Sequence, residues 1–510
     1  MLTVRPLQGE ASADRRHPLG TPTRRAPAPY QPGFVPVKKA IRIFLLAPLA
    51  LPVLAYAQRM PMPQPGSFGT GPISSGYVDA IAGLTYTDNA QLTQNNHASD
   101  GIGSIGLDTD YSRTGRLSLS LLGNIDRVQY IRNSFSGSFY GNFNGSALWG
   151  KPTDPLQWVL SDSFGEGTTN PLGAPTPQNL QTVNYLTTGP FLNLNFGLTN
   201  RFTVYGEYAR STYQRSPYDS QTFEGGVQLA HKLAGATSIS IQASDARTEY
   251  LDRAALINSP GTGSRFYVKE AAIQFKGYYI RTNISLAAGY NILDSGSMRH
   301  GSPYYNVQLS RSISPFSTVY IGGQSFYSTF GGTLQSPTAQ LGMQSGGNLG
   351  IGLITSQPVQ QRRATAGWNF HRGRTNFNLG GTYADNLYPQ LPADNHRDEF
   401  VNLSIARQVQ PTLSVGLQAT GGYNDYQQIG ARTHQFTATL TLAKQFYRST
   451  ISLYLRRMQQ TGSPGASGFA AASYHDDQIG VYFSYDLIGQ RTPTGANGMG
   501  TGMPGLPGMM

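Results

Sequence analysis

A chain of 510 residues is long enough for several soluble domains, yet only 13% of it is charged, and it holds 60 glycines and 30 tyrosines. That balance suits strands that face lipid on one side and water on the other. The absence of cysteine excludes a disulfide framework, a thiolate metal site and lipoprotein acylation. The formal charge of +11 is concentrated at the start: residues 1–57 hold eight Lys/Arg against two Asp/Glu, and the remainder 30 against 25. So small a surplus does not support nucleic-acid binding.

Lys38, Lys39 and Arg42 precede an apolar stretch from Ile43 to Leu54, and Ala55-Tyr56-Ala57 then offers a small-x-small cleavage site. This is the order of a secretory signal. A spanning helix is excluded, because the apolar run is short and interrupted by Pro48 and Pro52. The Arg- and Pro-rich stretch before it is unlike a signal start; it suggests initiation at Val37, the alternative being a genuine extended basic region. Residues 1–57 are therefore expected to be removed. Residues 58–76 read as a flexible periplasmic lead.

From residue 77 to 488 the hydrophobic period is two. Leu117, Leu119 and Leu121 alternate with Ser118 and Ser120, and Ile239 and Ile241 with Ser240 and Gln242. Leu413, Val415 and Leu417 repeat the pattern, as do Phe436, Ala438, Leu440 and Leu442. A soluble sandwich would bury this face as its core; a membrane barrel turns it to lipid. The connections decide between the two. About 18–20 strands of roughly ten residues fit the span. Short turns fall near Arg113–Arg116, Pro152–Pro155, Thr199–Arg201, Leu233–Ala236, Gly277–Tyr279, Pro315–Phe316, Arg372–Arg374, Gln408–Pro411 and Gln445–Tyr447. Longer connections fall near 89–99, 129–136, 166–182, 212–219, 247–264, 291–303, 329–360, 386–397, 425–433 and 458–475.

Alternation of short periplasmic turns with long external loops predicts an all-β, closed transmembrane antiparallel barrel with both termini in the periplasm. Aromatics near strand ends, among them Tyr77, Tyr86, Tyr130, Phe139, Tyr140, Trp149, Trp158, Tyr279 and Trp368, are expected to form the interfacial girdles. The longest connection, 331–361, is rich in Gly, Gln and Ser and has no charge before Arg362; it is expected either to constrict the lumen or to protrude as a hairpin. Residues 489–510 read as a disordered Gly/Met/Pro-rich tail.

Phase along each strand assigns the pore-lining face to Tyr205, Glu207, Glu224, Gln228, Glu270, Gln274, Arg281, Asn283, Arg363, Asn369, Asn378 and Arg456, with Asn376 and Tyr454. Amides, hydroxyls and tyrosine rings suit hydrogen bonding and stacking with sugars. Mixed acids and bases equally suit a general pore, or a merely solvated lumen. No catalytic motif is present. Gly346-Gly347-Asn348-Leu349-Gly350 lacks the Lys and Ser/Thr of a phosphate loop. His475-Asp476-Asp477 reads as the cap of the last strand, and His231, His371 and His434 are scattered at strand ends. No enzymatic activity, cofactor or metal is expected.

The last strand, Gln478-Ile-Gly-Val-Tyr-Phe-Ser-Tyr485, resembles the C-terminal signal by which outer-membrane barrels are recognised for insertion, with Gln478, Gly480, Phe483 and Tyr485 in the expected slots. Two further stretches carry a family resemblance. They are Leu84-Thr85-Tyr86-Thr87-Asp88-Asn89, and Trp158 to Pro190 with Asp162-Ser163-Phe164, Asn170-Pro171-Leu172 and Asn184-Tyr185-Leu186-Thr187-Thr188-Gly189-Pro190. With the terminal strand, these resemble the outer-membrane β-barrel porins associated with exopolysaccharide gene clusters, including PEP-CTERM-type clusters. The resemblance spans most of 77–488, and its motifs are structural. It implies a barrel in the cell outer membrane of a Gram-negative bacterium and a role in polysaccharide transport. The expected partners are outer-membrane lipid, the barrel-insertion machinery, an exopolysaccharide and periplasmic export proteins, with no nucleic acid. A passive diffusion porin and an adhesion barrel with a blocked lumen are the alternatives. A TonB-type transporter is disfavoured, because no plug-like sequence precedes the first strand. The barrel is expected to be a monomer.

Overall fold

The computed structural model describes residues 74–151, 153–252, 265–296, 298–329, 332–333, 357–463 and 471–488. The signal segment, most of the lead, most of the 331–361 connection and the tail lie outside them.

Strands follow one another as hairpins. The first are β1 (Ser74–Thr87), β2 (Asp100–Arg113), β3 (Leu117–Tyr130), β4 (Ser138–Tyr140), β5 (Phe143–Trp149) and β6 (Leu156–Thr168). Next come β7 (Leu180–Phe196), β8 (Asn200–Tyr213), β9 (Ser220–Ala234), β10 (Thr237–Tyr250) and β11 (Arg265–Tyr279). Then follow β12 (Thr282–Asp294), β13 (Arg299–Ser314), β14 (Ser317–Ser328), β15 (Val359–Arg372) and β16 (Thr375–Leu387). The series ends with β17 (His396–Gln410), β18 (Leu413–Tyr426), β19 (Ala431–Gln445), β20 (Ser449–Gly462) and β21 (Tyr474–Ile488).

Both β4 and β5 pair with β3, Tyr140 opposite Asp126 and Phe143 opposite Gly123. They are two pieces of one stave, broken where Gly123 and Gly141 adopt φ of +124° and +140° and the Asn124 N–H donates to the Asn142 carbonyl at 2.7 Å. The barrel therefore has 20 strands. It closes because β1 pairs antiparallel with β2 on one side and with β21 on the other. Closure leaves no row of unpaired backbone groups facing hydrocarbon, where each would cost several kcal/mol.

Side-chain exposure alternates along the staves. In β21, Ile479, Val481, Phe483 and Tyr485 are exposed on the outer surface, while Gln478, Gly480, Tyr482 and Ser484 alternate with them on the inner face. Ile105, Leu107, Val204, Val227, Ile241, Ile273, Ile321, Leu440 and Leu453 continue the outer apolar band around the barrel. A continuous apolar face outside a closed barrel is stable only in lipid. Trp158 and Trp368 sit in this face, and their indole N–H groups donate to Thr188 Oγ1 at 2.8 Å and Ser317 Oγ at 2.7 Å. An apolar ring with its polar edge satisfied is suited to the interface.

Three of the expected girdle aromatics are placed otherwise. Tyr77, Tyr130 and Tyr140 are buried on the inner face, since they share parity with Asp79, Val128 and Asp126. The Tyr77 hydroxyl donates to Asp108 Oδ2 at 3.3 Å.

The connections differ from expectation in length. Between β12 and β13 the chain turns within 295–298, and between β18 and β19 within 427–430, so the long loops expected at 291–303 and 425–433 are largely strand. The turn expected at Gly277–Tyr279 lies at 280–281, and β1 begins at Ser74. The reason is common to these cases. Most staves have 13–17 residues, whereas crossing the hydrocarbon takes about 9–11, so the hairpins continue as sheet beyond the hydrocarbon.

The closing seam is tied by side chains as well as backbone. Tyr454 and Tyr482 stack with ring centroids 5.3 Å apart and planes 15° apart. Both hydroxyls meet Thr85 Oγ1, at 2.6 and 3.3 Å. Above them, Thr87 Oγ1 donates to Asp476 Oδ1 at 2.5 Å and the Asn89 N–H to the same oxygen at 3.2 Å. Asp476 thus caps the last strand against the first.

Candidate functional site

The inner wall is built by the parity of each stave, and it receives nearly every pore-lining residue read from the sequence. Tyr205 and Glu207 alternate with the outward Val204, and Glu224 and Gln228 with Phe223 and Val227. Glu270 and Gln274 alternate with Ile273. Arg363 and Asn369 share the face opposite to Trp368, as Asn378 does relative to Leu379. Arg456 lies buried inside, between the outward Leu455 and Arg457. Asn283 is on the inner parity of β12 at its turn end. Arg281 is different: it lies in the turn between β11 and β12, where its carbonyl accepts the Ser312 N–H at 2.8 Å. A turn residue has no wall parity, so it sits at the barrel rim.

Register then gathers these residues into three groups. On β8 to β14, Glu207 stands directly opposite Glu224, and the Tyr205 hydroxyl donates to Glu224 Oε1 at 3.0 Å. The Tyr205 ring stacks on Phe191, centroids 5.3 Å apart. Gln228 Nε2 donates to Ser240 Oγ at 3.1 Å, and Gln242 Nε2 to Glu270 Oε1 at 3.1 Å. A pocket opens on this wall between Glu207, Glu224, Glu270, Phe266, Tyr304 and Phe326.

On β15 to β17, the amides of Asn369, Asn378 and Asn402 form a ladder: Asn378 donates to Asn369, and Asn402 Nδ2 to Asn378 Oδ1 at 3.1 Å. Beyond it a polar cluster is sealed between rings. His396 stacks between Tyr388 and Tyr426 at 5.9 and 4.9 Å. Asn386 Nδ2 donates to Asp398 Oδ2 at 2.7 Å, and Gln361 Nε2 to Asn386 Oδ1 at 2.9 Å. Burial pushes the carboxyl of nearby Asp394, in the Pro392–Asp394 turn outside the membrane, above its ordinary range, with His396 opposing the shift. The third group is the seam, where the Arg456 guanidinium lies 5.6 Å from the Tyr454 ring centroid and donates to Thr439 Oγ1 at 3.1 Å.

Sequence reasoning missed an inward acidic group on the early staves, Asp79, Asp108 and Asp126, all buried. Asp79 is register-paired with Asp108 and Asp108 with Asn124, which donates to Asp126 at 2.6 Å. Alternation with Val78 and Leu107 would have found the faces of Asp79 and Asp108, but only register brings the group together. Among the described residues no three His, Asp or Glu converge as metal ligands.

A closed 20-strand barrel with an apolar exterior, a polar interior and a terminal aromatic strand is a transmembrane β-barrel of the Gram-negative outer membrane. No protein-family model matches the chain. The search of curated proteins also returns no match. Among solved structures, the chain is similar to a ferric enterobactin receptor of Pseudomonas aeruginosa, at 9% identity over 81% of each chain with a TM-score of 0.40. It is similar to a siderophore receptor of Acinetobacter baumannii, at 9% identity over 81% of each chain and a TM-score of 0.41. It is also similar to the unliganded ferric citrate transporter, at 10% identity over 80% of this chain and 79% of that one, with a TM-score of 0.38. Likenesses this remote say nothing of what passes through the barrel.

Proposed function

We propose that this protein is a monomeric, non-catalytic outer-membrane channel that supports export of an exopolysaccharide. The observation that carries the reading is the inner wall. Carboxylates, side-chain amides and tyrosine rings line it over many adjacent staves, from Tyr205, Glu207 and Glu224 through Glu270 to Asn369, Asn378 and Asn402. Repeated hydrogen-bonding groups beside aromatic faces match the alternating hydroxyl and C–H surfaces of a sugar chain. The resemblance of the terminal and Trp158–Pro190 stretches to exopolysaccharide-associated porins points the same way.

Deletion of the gene in its host tests the proposal. Surface polymer is expected to fall while uptake of small solutes is unchanged. If polymer stays constant and small-solute permeability falls, the barrel is a diffusion porin. If neither changes, it is an adhesion or structural barrel. Within the export reading, substituting Tyr205 and Gln274 should reduce polymer more than neutralising Arg281 at the rim.

A further inference from the structure

We propose that the β6–β7 connection, residues 169–179, is a strap latched across one mouth of the barrel, and that release of its tip opens the channel. The proposal concerns the mouth, whatever passes through it, and does not rest on the export reading.

The connection is one compact piece. Asn179 Oδ1 accepts the Asn170 N–H at 2.7 Å, and Asn179 Nδ2 donates to the Asn170 carbonyl at 2.7 Å and the Ala174 carbonyl at 3.1 Å. The Leu172 N–H donates to Asn170 Oδ1 at 3.1 Å. A loop whose ends are clamped together and whose own side chains satisfy its backbone moves as a unit. Its base is fixed to the neighbouring β8–β9 turn. There the Arg215 guanidinium donates to the Gln178 and Pro177 carbonyls at 2.9 and 3.0 Å. Gln181 Oε1 accepts the N–H groups of Arg215 and Ser216 at 3.1 and 3.0 Å.

The tip is seated on another part of the wall. Leu172, 4% exposed, packs with Tyr426 of β18, Ala431 of β19 and Ala471 just before β21. Its carbonyl accepts the Ala472 N–H at 2.8 Å. Ala174 packs against Met458 of β20 and Tyr474 of β21. Between the β6–β7 and β18–β19 hairpins stand β20, β21, β1, β2, β3 and the β4–β5 stave one way round, and β8 to β17 the other. The two hairpins therefore belong to nearly opposite walls. The seat faces the lumen: Tyr426 shares parity with the buried Thr420 and Asn424, Ala431 with Thr433, and Met458 with Arg456. A segment anchored on one wall and seated on the inner face of the opposite wall spans the opening between them. The β8–β9 turn that holds its base reaches over in the same way. Burial, and after it the charge of Asp394 on the β16–β17 connection, holds the Tyr218 hydroxyl of that turn above its ordinary range.

The two attachments are unequal. The base has a guanidinium on two carbonyls and an amide on two N–H groups; the tip has one backbone bond and a leucine on a seat of small residues. Charge-assisted bonds are the stronger kind, so the tip is the end that lets go, and the strap swings on its base.

The test is conductance of the purified full-length protein in a planar bilayer. Leu172→Asp, checked for heat-modifiable folding, unseats the tip and should raise conductance roughly twofold or more, because the spanning segment occupies the mouth. Closure is tested in the opposite sense. The chain has no cysteine, so Leu172→Cys with Ala431→Cys supplies a single thiol pair, to be joined by oxidation or by a short bismaleimide. The joined form should stay at low conductance without opening transitions, and reducing the disulfide form should restore them. Failure of the pair to join with either reagent overturns the proposal. So does unchanged conductance in Leu172→Asp, or opening transitions that persist in the joined form. If Leu172→Asp does not fold, the thiol pair decides. A deletion strain that keeps its surface polymer would sink the export reading alone, because conductance is measured on the isolated protein.

Discussion

Tyr482 lies across Gly83: a Cβ on Gly83 would stand 2.0 Å from the tyrosine ring. Gly480 has the same relation to Tyr454, at 2.3 Å, so each ring of the stacked pair is seated over a glycine on the neighbouring strand. The seam between the last strand and the first is therefore built as much from absent side chains as from present ones.

Gly83→Val should lower the stability of the closed barrel by about 1–3 kcal/mol, the cost of overpacking a filled site. Tyr482→Ala alone removes a buried ring and should cost about 3–5 kcal/mol. The double variant should be less destabilised than the sum, since the clash vanishes with the ring. Urea unfolding in detergent, followed by heat-modifiable mobility, reads all three. Strict additivity would show that the ring and the glycine do not share one site.

Phe483 and Tyr485 face outward, 44% and 41% exposed, while Gln478 and Gly480 of the same signal face inward. Changing Phe483 and Tyr485 to Asp should abolish insertion in cells. Charge on the lipid face has a cost of its own, so Ile451→Asp on the next strand serves as the control. If the terminal pair is a recognition signal, its loss should block assembly in cells far more than refolding into detergent. Equal impairment of both variants in cells would reduce the pair to ordinary belt residues.

Leu440 and Ile321 are outward residues of the apolar band, 46% and 58% exposed. Replacing either with Arg should cost about 2–4 kcal/mol if it lies near the bilayer midplane. Folding titrations into lipid vesicles measure this directly. A change below about 0.5 kcal/mol would place that residue at the interface or beyond it, against a cost that falls toward zero there.

Asn386 holds Asp398 and Gln361 together beneath the Tyr388–His396–Tyr426 stack. Asn386→Leu keeps the volume but removes the donor to a buried carboxylate and should cost about 1.5–3 kcal/mol. Limited proteolysis of the 388–395 loop should accelerate in this variant, because His396 Nδ1 donates to the Asp394 carbonyl at 2.8 Å and anchors the loop. An unchanged cleavage rate would show that the loop is held by its own turn.

The class of this protein was decided by its sequence. Period-two alternation over some 400 residues, with no helix-length apolar run, leaves one structure that satisfies every backbone group in lipid. Parity also placed Glu207, Gln274 and Arg456 inside and Phe483 outside, because a strand has only two faces. The tertiary structure decided what parity cannot express. Whether Tyr77 and Tyr130 belong to the girdle or the lumen depends on where each alternation begins, and neighbouring strands settle that. Arg281 lost its place on the wall because β11 runs on to Tyr279 and β12 begins at Thr282. The pairing of Glu207 with Glu224, and the burial of Asn291 beside Glu270, are matters of inter-strand register. Register is fixed by turns and by contacts such as Tyr482 on Gly83, between residues hundreds of positions apart, and no local pattern carries it.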